Sequence, residues 1–410
     1  MLQMGTSPKE EFDRLLMAIV ECDDGISDLL FVTGKPPQME VHGRLKSFAP
    51  ESADSVLTSA RIEDFAKVII NDNPSLIQDL ANRGSCDCSY SLQAAHRFRV
   101  NIYRQNGNHA MALRRLQSEV PSLDSLQLPP IFREIVKEKT GLIFVTGGTG
   151  SGKTTTLTAM LNEINQSSEV HVVTLEDPIE FLHPQIKSTF SQRELGRDFY
   201  NFPDGLRAAL RQAPKVIFVG EIRDRESLEI ALTAGETGHV VYSTLHTINA
   251  GQSINRILSM FGKEEEQQVR ARLIGSLRYI VSQRLVPKIS GGRLLVTELM
   301  GSSLRTREVI ALGENENRQL GDIIEAGQTA GWHSFDQSLL KAFEDNLVTD
   351  EMALLYCTNK SQLAQRIDMV KKRRNSAQIS STLKMKEEKC IVKPLPPKPP
   401  VMTESMSQAA

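Results

Sequence analysis

Aromatic side chains make up only 5% of this 410-residue chain, which has a single tryptophan, and the formal net charge is −2. A groove for single-stranded nucleic acid needs basic residues interleaved with aromatic stacking platforms, so no nucleic-acid partner is expected. The charge balance gives no global argument for an acidic membrane surface either, and any such contact would need a local patch. The five cysteines (Cys22, Cys86, Cys88, Cys357 and Cys390) are odd in number and scattered. Cys86-Asp87-Cys88 leaves one residue between its thiols where zinc knuckles leave two or more. Reduced thiols are expected, not a disulfide framework. No apolar run approaches the ~20 residues that cross a bilayer. The N-terminus carries no charged-then-apolar leader. These absences predict a protein that works inside the cell. Length predicts more than one domain, and 40% hydrophobic residues suffice for a sizeable core.

What is present is concentrated at Gly147–Thr154, which reads G-G-T-G-S-G-K-T. The apolar run Leu142–Val145 before it predicts a buried strand, and Leu157, Met160, Leu161 and Ile164 after it share one helix face. Strand, glycine-rich loop and helix are the context a phosphate-binding P-loop requires. Backbone N–H groups from Gly147 and Thr149 to Gly152 curl around phosphate oxygens, and Thr155 continues the cradle into the helix. Lys153 reaches the β- and γ-phosphates and the Thr154 hydroxyl ligates Mg²⁺. ATP and Mg²⁺ are therefore the expected substrate and cofactor.

Three regions follow from the patterning. Residues 1–120 mix helical and strand periods as a small α+β domain: a helix through Phe12–Ile19, strands at Asp28–Val32 and Val41–Leu45, and a helix through Ile62–Ile69. Ser89–Tyr103 and His109–Leu116 alternate as an antiparallel pair around Asn106-Gly107-Asn108. Residues 121–130 form a proline-bracketed linker, and residues 131–369 alternate strands and helices as an open parallel α/β sheet. Residues 370–410, with Lys371-Lys372-Arg373-Arg374 and a proline-rich end, are expected to be a disordered basic tail.

Acids fall where the strands end. Val170–Leu175 delivers Glu176-Asp177-Pro178-Ile179-Glu180 into the crevice where open α/β sheets bind ligands. A carboxylate there can activate water. Val216–Val219 ends in Gly220-Glu221, a Walker B arrangement that helps hold Mg²⁺. Val240–Thr244 leads to His246, placed to sense the γ-phosphate, with His239 just before that strand.

Together these segments resemble the type II/IV secretion ATPase superfamily, and within it the PilT-like type IV pilus retraction ATPases. The resemblance runs from about Glu11 to Asp345 and rests on S-D-L-L-F-V-T-G-K-P-P at Ser27–Pro37 and R-F-R-V-N at Arg97–Asn101. It also rests on the P-loop, T-L-E-D-P-I-E-F, G-E-I-R-D and G-E-T-G-H-V-V-Y-S-T-L-H-T. It implies a PAS-like N-terminal domain, a RecA-like P-loop NTPase domain and a hexameric ring. ATP would lie between the N-terminal domain of one subunit and the P-loop domain of another. Glu176 would be the catalytic base, Glu221 the Walker B acid and His246 the phosphate sensor. Arg99, Arg104 and Arg114 stand where the family draws arginines that complete the site, with Arg207 and Arg211 as subunit contacts.

The implied function is retraction of type IV pili, and hence twitching motility, by ATP-driven interdomain rotation. The partners would be an inner-membrane pilus platform protein and a sister pilus ATPase, at the cytoplasmic face of the inner membrane. The Gly313–Ile324 stretch reads G-E-N-E-N-R-Q-L-G-D-I-I where the family's retraction signature is expected. An accessory or regulatory pilus ATPase therefore stays open, as does a type II secretion or pilus extension ATPase. No cysteine lies between Glu176 and Cys357, so the four-cysteine metal insert of extension and secretion ATPases is not expected.

Overall fold

Helix α1 (Pro8–Cys22) opens on a capping box, in which Ser7 and Glu10 satisfy each other's backbone N–H, with Pro8 fixing the first turn. The computed structural model describes residues 7–48, 56–93, 96–116, 119–316 and 318–389, with 375–389 as backbone only. Strands β1 (Ile26–Phe31), β2 (Gln38–Val41) and β3 (Arg44–Ser47) follow, then helices α2 (Ser59–Ile70) and α3 (Pro74–Arg83). Next come β4 (Ser85–Leu92), β5 (His96–Gln105) and β6 (Asn108–Arg115). The strands form one antiparallel sheet in the order β3-β2-β1-β6-β5-β4. Phe12 and Phe65 pack 4.8 Å apart between helices and sheet. Phe98, Val100 and Ile102 point into that core, so Arg97, Arg99 and Asn101 must point the other way.

Two expectations fail here for one reason, an unrecognised tight turn. Val41–Leu45 is not a strand but a hairpin: His42 (φ 51°) and Gly43 (φ 75°) adopt the left-handed pair that a two-residue turn requires. Ser89–Tyr103 is likewise not one strand. Leu92 pairs with His96, and the reversal at Gln93 (φ 54°) has no Gly, Pro or Asn to announce it. Helix α3, begun by Asn73 and Pro74, was not foreseen.

After the short helix α4 (Ile131–Ile135), the second sheet is built from β7 (Gly141–Thr146), β8 (His171–Glu176), β9 (Thr189–Glu194), β10 (Val216–Val219), β11 (Val240–Leu245), β12 (Leu277–Pro287) and β13 (Arg293–Gly301). Its order is β13-β12-β7-β11-β10-β8-β9, parallel except for β13, an antiparallel edge that departs from an all-parallel reading. Strands β7 and β11 are buried throughout, as a sheet covered on both faces demands. The covering helices are α5 (Lys153–Ser167), α6 (Phe202–Ala209), α7 (Arg225–Glu236), α8 (Ala250–Leu258) and α9 (Glu266–Ser276). Helices α10 (Leu304–Leu312), α11 (Leu320–Ala326), α12 (Phe335–Glu344), α13 (Asp350–Tyr356) and α14 (Lys360–Lys389) complete the chain.

The expected disordered tail needs correction over residues 370–389, where α14 continues as helix. Lys360–Lys389 contains no Gly or Pro and is rich in strong helix formers, which a composition-based reading of disorder overlooked. Its first half is anchored by buried Leu363, Ile367 and Val370. The proline-rich end expected at Lys393–Pro400 lies outside the described residues.

Candidate nucleotide site

Between β7 and α5, Gly150 (φ 74°) and Gly152 (φ 88°) take left-handed conformations that side chains resist, which curls the loop. A Cβ on Gly147 would meet Ser151 Oγ at 2.5 Å and the Gln283 carbonyl at 2.7 Å. Lys153 is folded back inside this curl, with Nζ donating to the carbonyls of Gly147 and Gly148 at 3.0 Å each. Burial lowers its pKa, partly offset by Glu221 and Glu180. Ser151 Oγ is buried without a hydrogen-bond partner among the described residues. A loop that aims backbone N–H groups, an orphaned hydroxyl and an ammonium at one point has the chemistry of an anion cradle.

Glu176 ends β8 at 6% exposure. Burial pushes its pKa from the ordinary 4.5 up to about 7, against the pull of hydrogen bonds from Thr174 Oγ1 (2.6 Å) and Gln192 Nε2 (3.2 Å). Glu180, on the same loop, is also raised by burial, with Thr154, Arg99 and Lys153 drawing it back. Glu221, just past β10, sits between the Arg223 guanidinium and His246 Nε2, the latter 3.3 Å away. These groups, with Arg99 from β5, line one cleft of about 360 Å³ that includes Thr149, Gly150 and Thr154. A second hollow of about 830 Å³ opens on the other side of the loop. It is bordered by Ser151, Gly152, Thr155, the linker residues Ser125–Gln127, and Lys288 and Arg293 near the β12–β13 turn.

Hydroxyl and carboxylate oxygens at Thr154 and Glu221 suit a hard cation such as Mg²⁺. Among the described residues there is no cluster of three or more His, Cys, Asp or Glu that could hold a metal. Mg²⁺ needs none, because phosphate oxygens and water supply most of its ligands.

The structure thus brings Lys153, Thr154, Glu176, Glu221, His246 and Arg99 together. It does not bring Arg104 or Arg114. Arg114 is held by Asp28 at 2.8 Å, and Arg104 stands exposed opposite His109 near the β5–β6 turn. Arg207 is engaged by Asp204 and Glu226. His239 holds the carbonyl of Ala234 at the far end of β11 from His246. The resemblance had placed the nucleotide between the domains of different subunits, whereas Arg99 lines the cleft of its own chain. Sequence reading put Glu180 in the ligand crevice and quoted Arg223 without giving either a role of its own, and it missed Gln192. The first two lie inside the quoted acidic and Walker B segments, but nothing in the pattern marked Gln192.

The family model for "Type II/IV secretion system protein" matches residues 88–291. The chain is 37% identical to the type IV pilus retraction ATPase PilT of Pseudomonas aeruginosa over 329 residues, covering 80% of this chain and 93% of that protein. It is 34% identical to the type IV pilus ATPase PilU of the same organism, covering 86% and 90% respectively. Among solved structures, the pilus retraction motor PilT with bound ADP superposes with a TM-score of 0.77 at 38% identity, covering 86% of this chain and 98% of that one.

Proposed function

The chain belongs to the type II/IV secretion ATPase family as a PilT-like member, and from that premise we propose that it is the ATP-hydrolysing motor of type IV pilus retraction. The observation that carries this reading is the single cleft in which the P-loop Lys153 faces Glu176, Glu221, His246 and Arg99.

ATP enters with its phosphates in the Gly147–Thr154 loop, where Lys153 exchanges the Gly147 and Gly148 carbonyls for phosphate oxygens. Arg99 and Arg223 add positive charge on the open side of the cleft. Thr154 and, through water, Glu221 would hold the Mg²⁺ that neutralises phosphate charge. Glu176, with a pKa near neutrality, is suited to take a proton from the attacking water. His246 touches Glu221 and lines the same cleft, so it registers whether the γ-phosphate is present. Loss of that phosphate loosens Arg99, and with it the sheet that carries β5, about the 121–130 linker. A homo-hexameric ring turns such steps into work on a membrane-embedded platform protein at the cytoplasmic face. Among the described residues, no helix is long and apolar enough to cross a membrane.

The test is steady-state ATPase activity of wild type beside Glu176→Gln, with oligomeric mass measured on the same samples. Turnover in a hexamer, reduced at least about 100-fold in the variant, is expected. Nucleotide binding without turnover in the wild type would instead make the chain a regulatory subunit of a sister motor.

A further inference from the structure

Strand β9 carries two polar side chains that hydrolysis as described above does not use. Glu194 is 5% exposed, yet both of its oxygens are engaged by other segments. Oε1 accepts from Ser89 Oγ at 2.5 Å, and Oε2 accepts from the Ile179 backbone N–H at 3.2 Å with the Arg97 guanidinium 3.6 Å away. Ser89 and Arg97 belong to the first sheet, on β4 and β5, whereas Ile179 lies three residues past Glu176 on the acidic loop. Two positions before Glu194, Gln192 donates to Glu176 Oε1 (3.2 Å) and to the Phe181 carbonyl (2.8 Å). The Gln192 side-chain amide oxygen accepts from the His183 backbone N–H at 2.9 Å. One short strand therefore pins the acidic loop at Glu176, Ile179, Phe181 and His183 and grips the first sheet at the same time.

A carboxylate this deeply buried is stable only while it is paired. If Ser89 and Arg97 are withdrawn, Glu194 must draw in water or move, and the Ile179 N–H that it holds loses its anchor. We propose that Glu194 is a positioning residue that makes the placement of Glu176 conditional on docking of the first sheet of the same chain. The sheet that senses nucleotide through Arg99 thereby also governs, through Ser89 and Arg97, whether the base is set. The catalytic consequence rests on the ATPase reading above; the mechanical coupling does not.

The experiment compares wild type, Ser89→Ala, Arg97→Met, Glu194→Ala and the combinations of each first-sheet variant with Glu194→Ala. Two quantities are read: amide hydrogen exchange over residues 177–183, and kcat and KM for ATP. Exchange at Ile179 should rise and kcat should fall, each roughly tenfold, the scale of one lost charge-assisted hydrogen bond. KM should stay within about twofold, because the P-loop is untouched. In the Glu194→Ala background the first-sheet variants should add nothing. Unchanged Ile179 exchange in both Ser89→Ala and Arg97→Met overturns the proposal, as do effects that multiply with Glu194→Ala. Should Glu194→Ala fail to fold, Glu194→Gln replaces it: its amide oxygen still accepts from the Ile179 N–H and its NH2 donates to Ser89 Oγ, with only the Arg97 effect then expected to vanish. A wild type without turnover defeats the ATPase reading, and the exchange measurements still decide the coupling.

Discussion

Glu176 is placed where its charge is costly to the fold and useful to the reaction. Its folded pKa of about 7 stands above the ordinary 4.5, so between these values the folded chain keeps a proton that the unfolded chain has released. Folding stability from this group is therefore full below pH 4.5 and is lost as pH rises through 7. Glu176→Gln should thus be more stable than wild type at pH 8, by about 3 kcal/mol, with the difference vanishing at pH 4. Denaturant unfolding at the two pH values checks this. The kcat/KM of the wild type should rise with pH through an inflection near 7, and Thr174→Val, which removes a hydrogen bond to the charged form, should move that inflection upward. At this scale the sequence was readable where a strand end dictates position, as at Glu176, Glu221 and His246. It was not readable among the arginines. Arg99 and Arg104 are five residues apart on β5 and so face opposite sides, while Arg114 shares Arg99's face but is drawn toward β1 by Asp28. Strand parity was available from the sequence; the pull of Asp28 needed the register of β1 against β6.

Helix α14 shows what separates a readable element from an unreadable one. The P-loop helix α5 was legible because a turn motif fixes its start and apolar residues recur on one face. Among the α14 residues whose side chains are described, the buried apolar anchors are Leu363, Ile367 and Val370, one thin stripe. That stripe packs against Val286 and Val296 of the β12–β13 hairpin and Phe335 and Leu339 of α12. The anchored half should therefore matter and the remainder should not. Leu363→Ala is expected to cost about 3 kcal/mol, the ordinary price of truncating a buried leucine. A chain ending at Arg374 should keep wild-type unfolding midpoint and ATPase activity, whereas one ending at Asn359 should lose several degrees of thermal midpoint. Thermal unfolding of the three proteins separates an anchored helix from a dispensable tail. The hairpin at His42-Gly43 was hidden for a different reason: alternation continued across the turn, and only the backbone dihedrals mark the reversal.

Across the whole molecule, the order of the motifs was legible, but not which surface of the first sheet meets the second. Ser89 and Glu194 are 105 residues apart, and no local period encodes their contact. That contact, together with Asn73 Nδ2 on the Gly196 carbonyl (3.2 Å), sets the face bearing Arg99 against the chain's own P-loop. The geometry separates two ways a ring could complete its sites. If Arg99 acts across a subunit boundary, mixing Arg99→Ala with Lys153→Ala subunits restores sites, because a Lys153→Ala subunit lends its intact Arg99 to a neighbour's intact P-loop. Random assembly would make about a quarter of the sites complete in that way. If Arg99 serves its own chain, no mixed ring contains a complete site, whatever its composition. Equal mixtures, exchanged under mild denaturant and reassembled, should therefore show no more ATPase activity than the sum of the two variants alone. Recovery near a quarter of the wild-type rate would move Arg99 to the neighbouring subunit's site and would leave the Glu194 contact as the tie that holds the first sheet to its own chain.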